Sequence, residues 1–337
     1  MGKLPFERIK RSVLVKKKVE TNPDYGCSPT ERTTEQLLDY GIVNVDKPSG
    51  PSSHQVSAYV QKILKINKAG HSGTLDPKVT GVLPIALGSA TRIVQSLLTA
   101  GKEYVCLMHL HKPVEEEKIR AVMDEMVGKI RQLPPVRSAV KREWRYRTIY
   151  YIEILEIKDQ DVLFRIGCQA GTYIRKICSD LGKKLEVGAH MAELRRTKAG
   201  PFNEATALCT LQDLTDAFYY YIEEKNEEPL RKIIHPVEKG AEHLAKIWIL
   251  DTTVDSLCHG ASLKVPGISK VESDIQLDDK VAVVTLKGEL VLVGVAKMIS
   301  KDMIKEDRGI AVKPEQVFMK PGVYPRIEKQ KDVAEGQ

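Results

Sequence analysis

Between Ala69 and Arg92 the chain reads AGHSGTLDPKVTGVLPIALGSATR, and this stretch limits what the surrounding fold can be. Gly70, Gly73 and Gly81 fall within twelve residues. Glycine alone takes positive φ at little steric cost, so the spacing implies a backbone that turns sharply or lets another molecule approach closely. Pro77 pushes Asp76 towards an extended conformation and discourages a helix there. A lone carboxylate, Asp76, is thus displayed on a tightly shaped loop that runs into the apolar Val82-Leu83-Pro84-Ile85-Ala86-Leu87. Taken alone, an Asp in such a loop most often caps a turn.

Whole-chain properties exclude several classes. A length of 337 residues suggests two or three domains, and 42% apolar content is enough for packed cores. No run approaches the ~18 apolar residues of a membrane span, so no membrane association is expected. The basic N-terminus MGKLPFERIKRSVLVKKK lacks the apolar centre of a secretory signal. The cysteines Cys27, Cys106, Cys168, Cys178, Cys209 and Cys258 are scattered without a C-x-x-C pair. Neither structural zinc nor a disulfide framework is expected, and reduced thiols in a cytoplasmic compartment fit best. No GK[ST] follows Gly70–Gly81, so the glycines are not a P-loop. His71, His109 and His111 make no convincing ligand set. The expectation is no metal and no cofactor.

A net charge of +7 permits nucleic-acid binding without proving it. Its distribution says more. Residues 137–147, RSAVKREWRYR, carry five cations, one acid and two aromatic rings. Cations that meet phosphates beside rings that stack on bases suit an RNA surface, with Arg142 and Arg145 as candidate contacts. A solvated charged face is the alternative.

Patterning predicts an α+β architecture. Residues 1–40 read as an extended arm, 41–246 as a mixed-sheet domain, 247–325 as a small β-barrel and 326–337 as a tail. In the large domain Ile42–Val45 and Tyr104–Leu110 read as strands, and 150–157 with 162–168 as a hairpin. Helices are expected after the capping box Ser52–Gln55, over 90–98, over 115–130, after a Thr172 cap, and over 211–246. Strands and helices without regular βαβ alternation argue against a doubly wound sheet.

Five motifs give this pattern an identity. Gly73-Thr74-Leu75-Asp76-Pro77 resembles the GTLDP motif of the TruB/dyskerin family of pseudouridine synthases. Asn44–Gly50, with Lys47-Pro48, is similar to that family's N-terminal motif, and Gly101-Lys102-Glu103-Tyr104 to its aromatic motif. Gly171-Thr172-Tyr173-Ile174-Arg175 resembles the arginine motif, and Leu194-Arg195-Arg196-Thr197 the leucine motif. They stand in the family's order, and residues 247–325 resemble a PUA domain.

The resemblance implies an isomerase that detaches uracil from ribose, turns it and rejoins it through carbon. Such a reaction exchanges nothing with a cofactor. Asp76 would be the catalytic carboxylate, acting covalently or through elimination to a glycal; the sequence leaves both routes open. Arg175 would fix the carboxylate through directed hydrogen bonds. Tyr104 would offer the everted base a flat face and a hydroxyl, with Leu194 or Ile174 opposite, to offset an unstacking cost of a few kcal/mol. Tyr173 joins the substrate-binding candidates as part of the arginine motif. Lys47 would support the loop or the phosphate backbone. His71 reads equally as a nucleotide contact or a structural residue.

Bacterial tRNA-modifying members carry a longer insertion after their SA-[LV]-K motif; here Ser138-Ala139-Val140-Lys141 runs almost directly into the next strand. The likeness is therefore to the dyskerin branch in its archaeal form. It implies an H/ACA guide RNA, an rRNA or tRNA substrate, small H/ACA particle proteins and a kink-turn-binding protein as partners. A stand-alone tRNA enzyme modifying the T-loop uridine and a non-catalytic RNA-binding scaffold are the alternatives.

Overall fold

The computed structural model describes residues 2–135 and 141–326. The chain divides into two compact units, one built from residues up to Ile9 and Thr33–His243, the other from Lys10–Arg32 and the chain from Leu244 onward. The segment read as an arm is thus shared between them. The expected tail lies, beyond Arg326, outside the described residues, as do Ser138, Ala139 and Val140.

The chain enters through α1 (Pro5–Arg8) of the first unit and β1 (Val13–Val15) of the second. The first unit continues with α2 (Thr34–Tyr40), β2 (Gly41–Lys47), α3 (Ser53–Ile63), β3 (Ala69–His71), β4 (Thr80–Leu87), α4 (Val94–Thr99) and β5 (Lys102–Leu110). Then come α5 (Glu116–Glu125), β6 (Gly128–Gln132), β7 (Arg145–Lys158), β8 (Asp161–Cys168), α6 (Ile174–Lys184), β9 (Ala189–Ala199), β10 (Phe202–Asn203), α7 (Leu211–Glu223), α8 (Glu228–Ile233) and β11 (Ile234–Pro236).

Its strands form a ten-stranded sheet in the order β11-β2-β4-β9-β5-β8-β7-β6, with β3 added to β4 and β10 to β9. The β4–β9 pair is parallel, setting Thr80 opposite Arg195 and Gly81 opposite Arg196. On one side, Val56 and Val60 of α3 pack with Val43, Val45, Leu83 and Ile85. Helix α3 starts where its capping box places it: Gln55 N donates to Ser52 Oγ at 3.2 Å, and Ser52 N to Gln55 Oε1 at 2.8 Å. A second core joins α5 and α6 to the central strands through Ile119, Met123, Ile177 and Leu181 against Cys106, Met108, Phe164 and Ile166. Each such aliphatic or aromatic side chain contributes roughly 1.5–3 kcal/mol on burial.

Several local expectations are corrected. The helix read over 115–130 ends at Glu125, because Gly128 takes φ +111° and opens β6, so Ile130 is a strand residue. The helix read over 90–98 begins as a 3₁₀ segment, Gly88–Ile93, before α4. Thr172 does not cap α6: its hydroxyl donates to Gln169 O at 2.7 Å, and Tyr173 is the N-cap. The stretch 211–246 is not continuously helical. Lys225 at φ +56° separates α7 from α8, and strand β11 follows.

The second unit contains β12 (Ala245–Ile249), α9 (Asp251–Cys258), β13 (Leu263–Lys264), β14 (Ile268–Glu272), β15 (Lys280–Val284), β16 (Leu290–Ala296), α10 (Ser300–Lys305) and β17 (Ile310–Val317). Its seven-stranded sheet runs β1-β14-β12-β15-β16-β17-β13. The core holds Ile247, Val254, Leu257, Val271, Val283 and Leu292. Strand β1 pairs antiparallel with β14, Val13 opposite Glu272. The buried Glu289 carboxylate accepts from Cys27 N at 3.1 Å and from the Tyr324 hydroxyl at 2.7 Å, which ties residues 10–32 into this unit.

Candidate active site

The loop between β3 and β4 is pinned on both sides of Asp76. Leu75 is buried; its N–H donates to Ser53 Oγ at 2.8 Å. The Pro77 carbonyl accepts from Gly50 N and from Lys47 Nζ, both at 2.9 Å. Lys47 Nζ also donates to Pro48 O and Val79 O at 2.8 Å. Its side chain is fully buried, and burial together with the Arg196 charge holds its pKa below the ordinary lysine value. Three carbonyls use all three of its protons. Of the two expected roles, this arrangement fits that of a loop support.

Gly81 closes the loop at φ +100°, and a Cβ there would stand 2.2 Å from the Arg196 carbonyl oxygen. This is the close backbone approach for which glycine is required.

Asp76 is left half-exposed, with Oδ2 3.0 Å from Arg175 Nη2 at the start of α6. The pair lines a cleft of about 440 Å³ together with Tyr104, Tyr173, Ile174 and Leu194. Four separate segments thus converge: the pinned loop, β5, the start of α6 and β9. Tyr173 is held by a reciprocal pair, its N–H donating to Gln132 Oε1 at 3.2 Å and Gln132 Nε2 donating to its carbonyl at 3.3 Å.

The structure does not bring every candidate together. His71 is partly buried on β3, its Nδ1 accepting from Gly73 N at 3.3 Å, and burial lowers its pKa. It supports the loop from outside the cleft lining. Arg142 and Arg145 also lie outside that lining; Arg145 Nη2 donates to Lys141 O at 3.2 Å. Their neighbourhood does pair cations with exposed rings: Arg131 stands 4.6 Å from the Trp144 ring centre and Lys129 4.5 Å from that of Tyr146.

Two buried basic residues of the cleft lining have no place among the sequence candidates. Lys102 is buried, with Nζ donating to Leu97 O and Ala100 O at 2.7 Å, and desolvation pushes its pKa down to about 7. Arg196 is 1% exposed, donating from Nε to Val82 O at 2.7 Å and from Nη2 to Gly73 O at 3.3 Å. Among the described residues no group of three or more His, Cys, Asp or Glu is arranged to hold a metal ion. No helix among them is long and apolar enough to cross a membrane.

Comparison with known proteins matches the chain along nearly its whole length. Residues 61–174 match the N-terminal domain of the TruB family pseudouridylate synthases, and 175–242 the tRNA pseudouridylate synthase B C-terminal domain. Residues 3–57 match the DKCLD (NUC011) domain and 245–318 the PUA domain. A probable tRNA pseudouridine synthase B of Methanopyrus kandleri is 57% identical over 324 residues, 96% of this chain and 95% of the relative. The protein of the same name from Pyrococcus furiosus is 55% identical over 96% of both chains. Among solved structures, a chain in a Cbf5-Nop10-Gar1 complex superposes with TM-score 0.93 at 55% identity, covering 96% of this chain and 98% of that one. A chain of an H/ACA RNP bound to a substrate RNA containing 2′-deoxyuridine gives TM-score 0.90 at 52% identity, covering 96% and 99%.

Proposed function

The chain belongs to the TruB family of pseudouridine synthases, and from that membership we propose that it isomerises uridine in RNA under the direction of a guide RNA, with Asp76 as the catalytic carboxylate. The observation that carries the role of Asp76 is its 3.0 Å pairing with Arg175 inside an open cleft faced by Tyr104 and Leu194. An exposed ion pair adds only ~0–1 kcal/mol to stability. Its value here is directional: the guanidinium holds one carboxylate oxygen and leaves the other to meet the ribose–uracil junction. An everted base fits between the Tyr104 ring and Leu194 or Ile174, which offsets the loss of stacking. Asp76 then acts as nucleophile or as the base for elimination at C2′.

Guide dependence is supported by the near full-length likeness to chains solved within a Cbf5-Nop10-Gar1 complex and a substrate-bound H/ACA RNP. By the same likeness the partners are an H/ACA guide RNA and small particle proteins of the Nop10 and Gar1 kind, and the setting is an archaeal cytoplasm. The curated relatives' name favours a second reading, in which a tRNA is modified directly. A conversion assay on one defined uridine in an rRNA fragment and in a tRNA T-loop, each with and without a matching guide, separates the two. Conversion of the rRNA fragment only with its guide is expected. Efficient guide-free conversion of the tRNA alone would favour the second reading. Asp76→Asn should abolish conversion in either case while RNA binding is retained; an active Asp76→Asn enzyme would overturn the assignment.

A further inference from the structure

Arg196 is a buried cation in the wall of the cleft, and among the described residues no carboxylate pairs with it. A desolvated charge without a counterion is costly, and proteins retain one chiefly where its field is used. Its surroundings point to that use. In the β5–β9 ladder Arg196 stands directly opposite Tyr104. Both side chains line the cleft. Hydrogen bonds to Val82 O and Gly73 O fix the guanidinium against β4 and the loop that carries Asp76. Lys102, two residues before Tyr104, adds a second buried basic side chain to the same wall.

We propose that Arg196 is a positioning residue that acts through Tyr104 on the hydrogen shift completing the reaction. The inference rests on the reading of Tyr104 as a group of the active site. Detached uracil keeps the electron pair of the broken C1′–N1 bond, turns, and uses that charge to form the C1′–C5 bond. The resulting adduct carries a hydrogen on C5 and lacks one on N1. The Tyr104 hydroxyl gives its proton to N1, and the phenolate so formed is stabilised by Arg196. It then takes the C5 proton, the C5–H electron pair returns to the ring, and the phenol is restored. Burial raises the Tyr104 phenol above its ordinary pKa while Arg196 pulls it back, which is the balance a group that both gives and takes a proton requires.

The test is single-turnover conversion of RNA carrying uridine or 5-deuterouridine, using the full chain with guide and partners. The variants are Tyr104→Phe, Arg196→Met, Arg196→Lys and Tyr104→Phe/Arg196→Met. Arg196→Met is expected to bind RNA as the parent does, to convert it ~100-fold more slowly, and to show a larger deuterium isotope effect. The double variant should be no slower than the slower single one, because the two residues act as one unit. Arg196→Lys should recover part of the rate with the isotope effect still enlarged; it keeps the question answerable should the Met variant not fold. Multiplicative losses in the double variant, or a parental isotope effect in both Arg196 variants, would overturn the proposal. Parental conversion by Tyr104→Phe would instead remove the reading of Tyr104 on which it rests.

Discussion

Arg175, at the start of α6, holds its Nη2 3.0 Å from Oδ2 of Asp76 on the loop between β3 and β4. Neither residue is buried enough for the pair to matter much to folding, so stability and catalysis should separate cleanly at this contact. Arg175→Lys is expected to leave the melting transition within ~0.5 kcal/mol of the parent. Its conversion rate should fall, because a point-like ammonium cannot reproduce the directed guanidinium bond. Thermal melts beside a conversion assay check this; an unchanged rate would count against an orienting role.

Lys47 should behave in the opposite way. Replacement by Met removes the donor from three carbonyls that define the loop. Pro77 O keeps its bond from Gly50 N, whereas Pro48 O and Val79 O lose their donor; an unpaired buried acceptor costs about 1–3 kcal/mol, so a loss of roughly 3 kcal/mol in urea unfolding is expected once the loop relaxes. RNA affinity measured on the folded fraction should change little.

Gly81 and Gly50 offer a controlled comparison. Both have positive φ, +100° and +115°, but a Cβ at Gly81 meets the Arg196 carbonyl at 2.2 Å whereas one at Gly50 meets nothing within 4 Å. Gly50→Ala should cost about 1–2 kcal/mol from backbone strain alone. Gly81→Ala should cost clearly more and reduce conversion, since the β4–β9 pairing beside the cleft must open. Equal costs in denaturant melts would show that the contact is not limiting.

Acid should weaken the first unit through His71 and His235, whose folded pKa values are lowered chiefly by burial. The unfolded chain then binds more protons than the folded one below the free histidine value of ~6.5. Stability is therefore present in full above that value. It declines as pH falls from there towards the lowered folded pKa, below which this contribution stops changing. His71→Gln should flatten the decline in melts taken between pH 7 and 5; an unchanged slope would exclude His71 as a source.

What the sequence revealed followed from rules about backbone and local pairing. The Ser52–Gln55 box, the turn-forming glycines and the apolar β5 were legible because each is a local signal. The convergence of Asp76 with Arg175 was legible only through the family motifs, since no local rule brings two distant segments together. Arg196, Lys102 and the burial of Lys47 were missed because a cation is by default a surface residue. Strand β9 (AHMAELRRTKA) hid itself in the same way, its polarity masking a central position in the sheet. Parity offered a clue: in any strand through 194–196, Arg196 shares a face with Leu194.

Strand β1 lies at the edge of the second unit's sheet, paired with β14 near the other end of the chain. Its hydrogen-bonding partner therefore leaves the ribosome only after the whole catalytic domain has been made. An early piece of polypeptide must wait, unpaired, through most of translation. The last-made domain cannot complete its sheet without it, so a shortened chain that lacks its first thirty or so residues would spoil the PUA region as surely as a cut beside it.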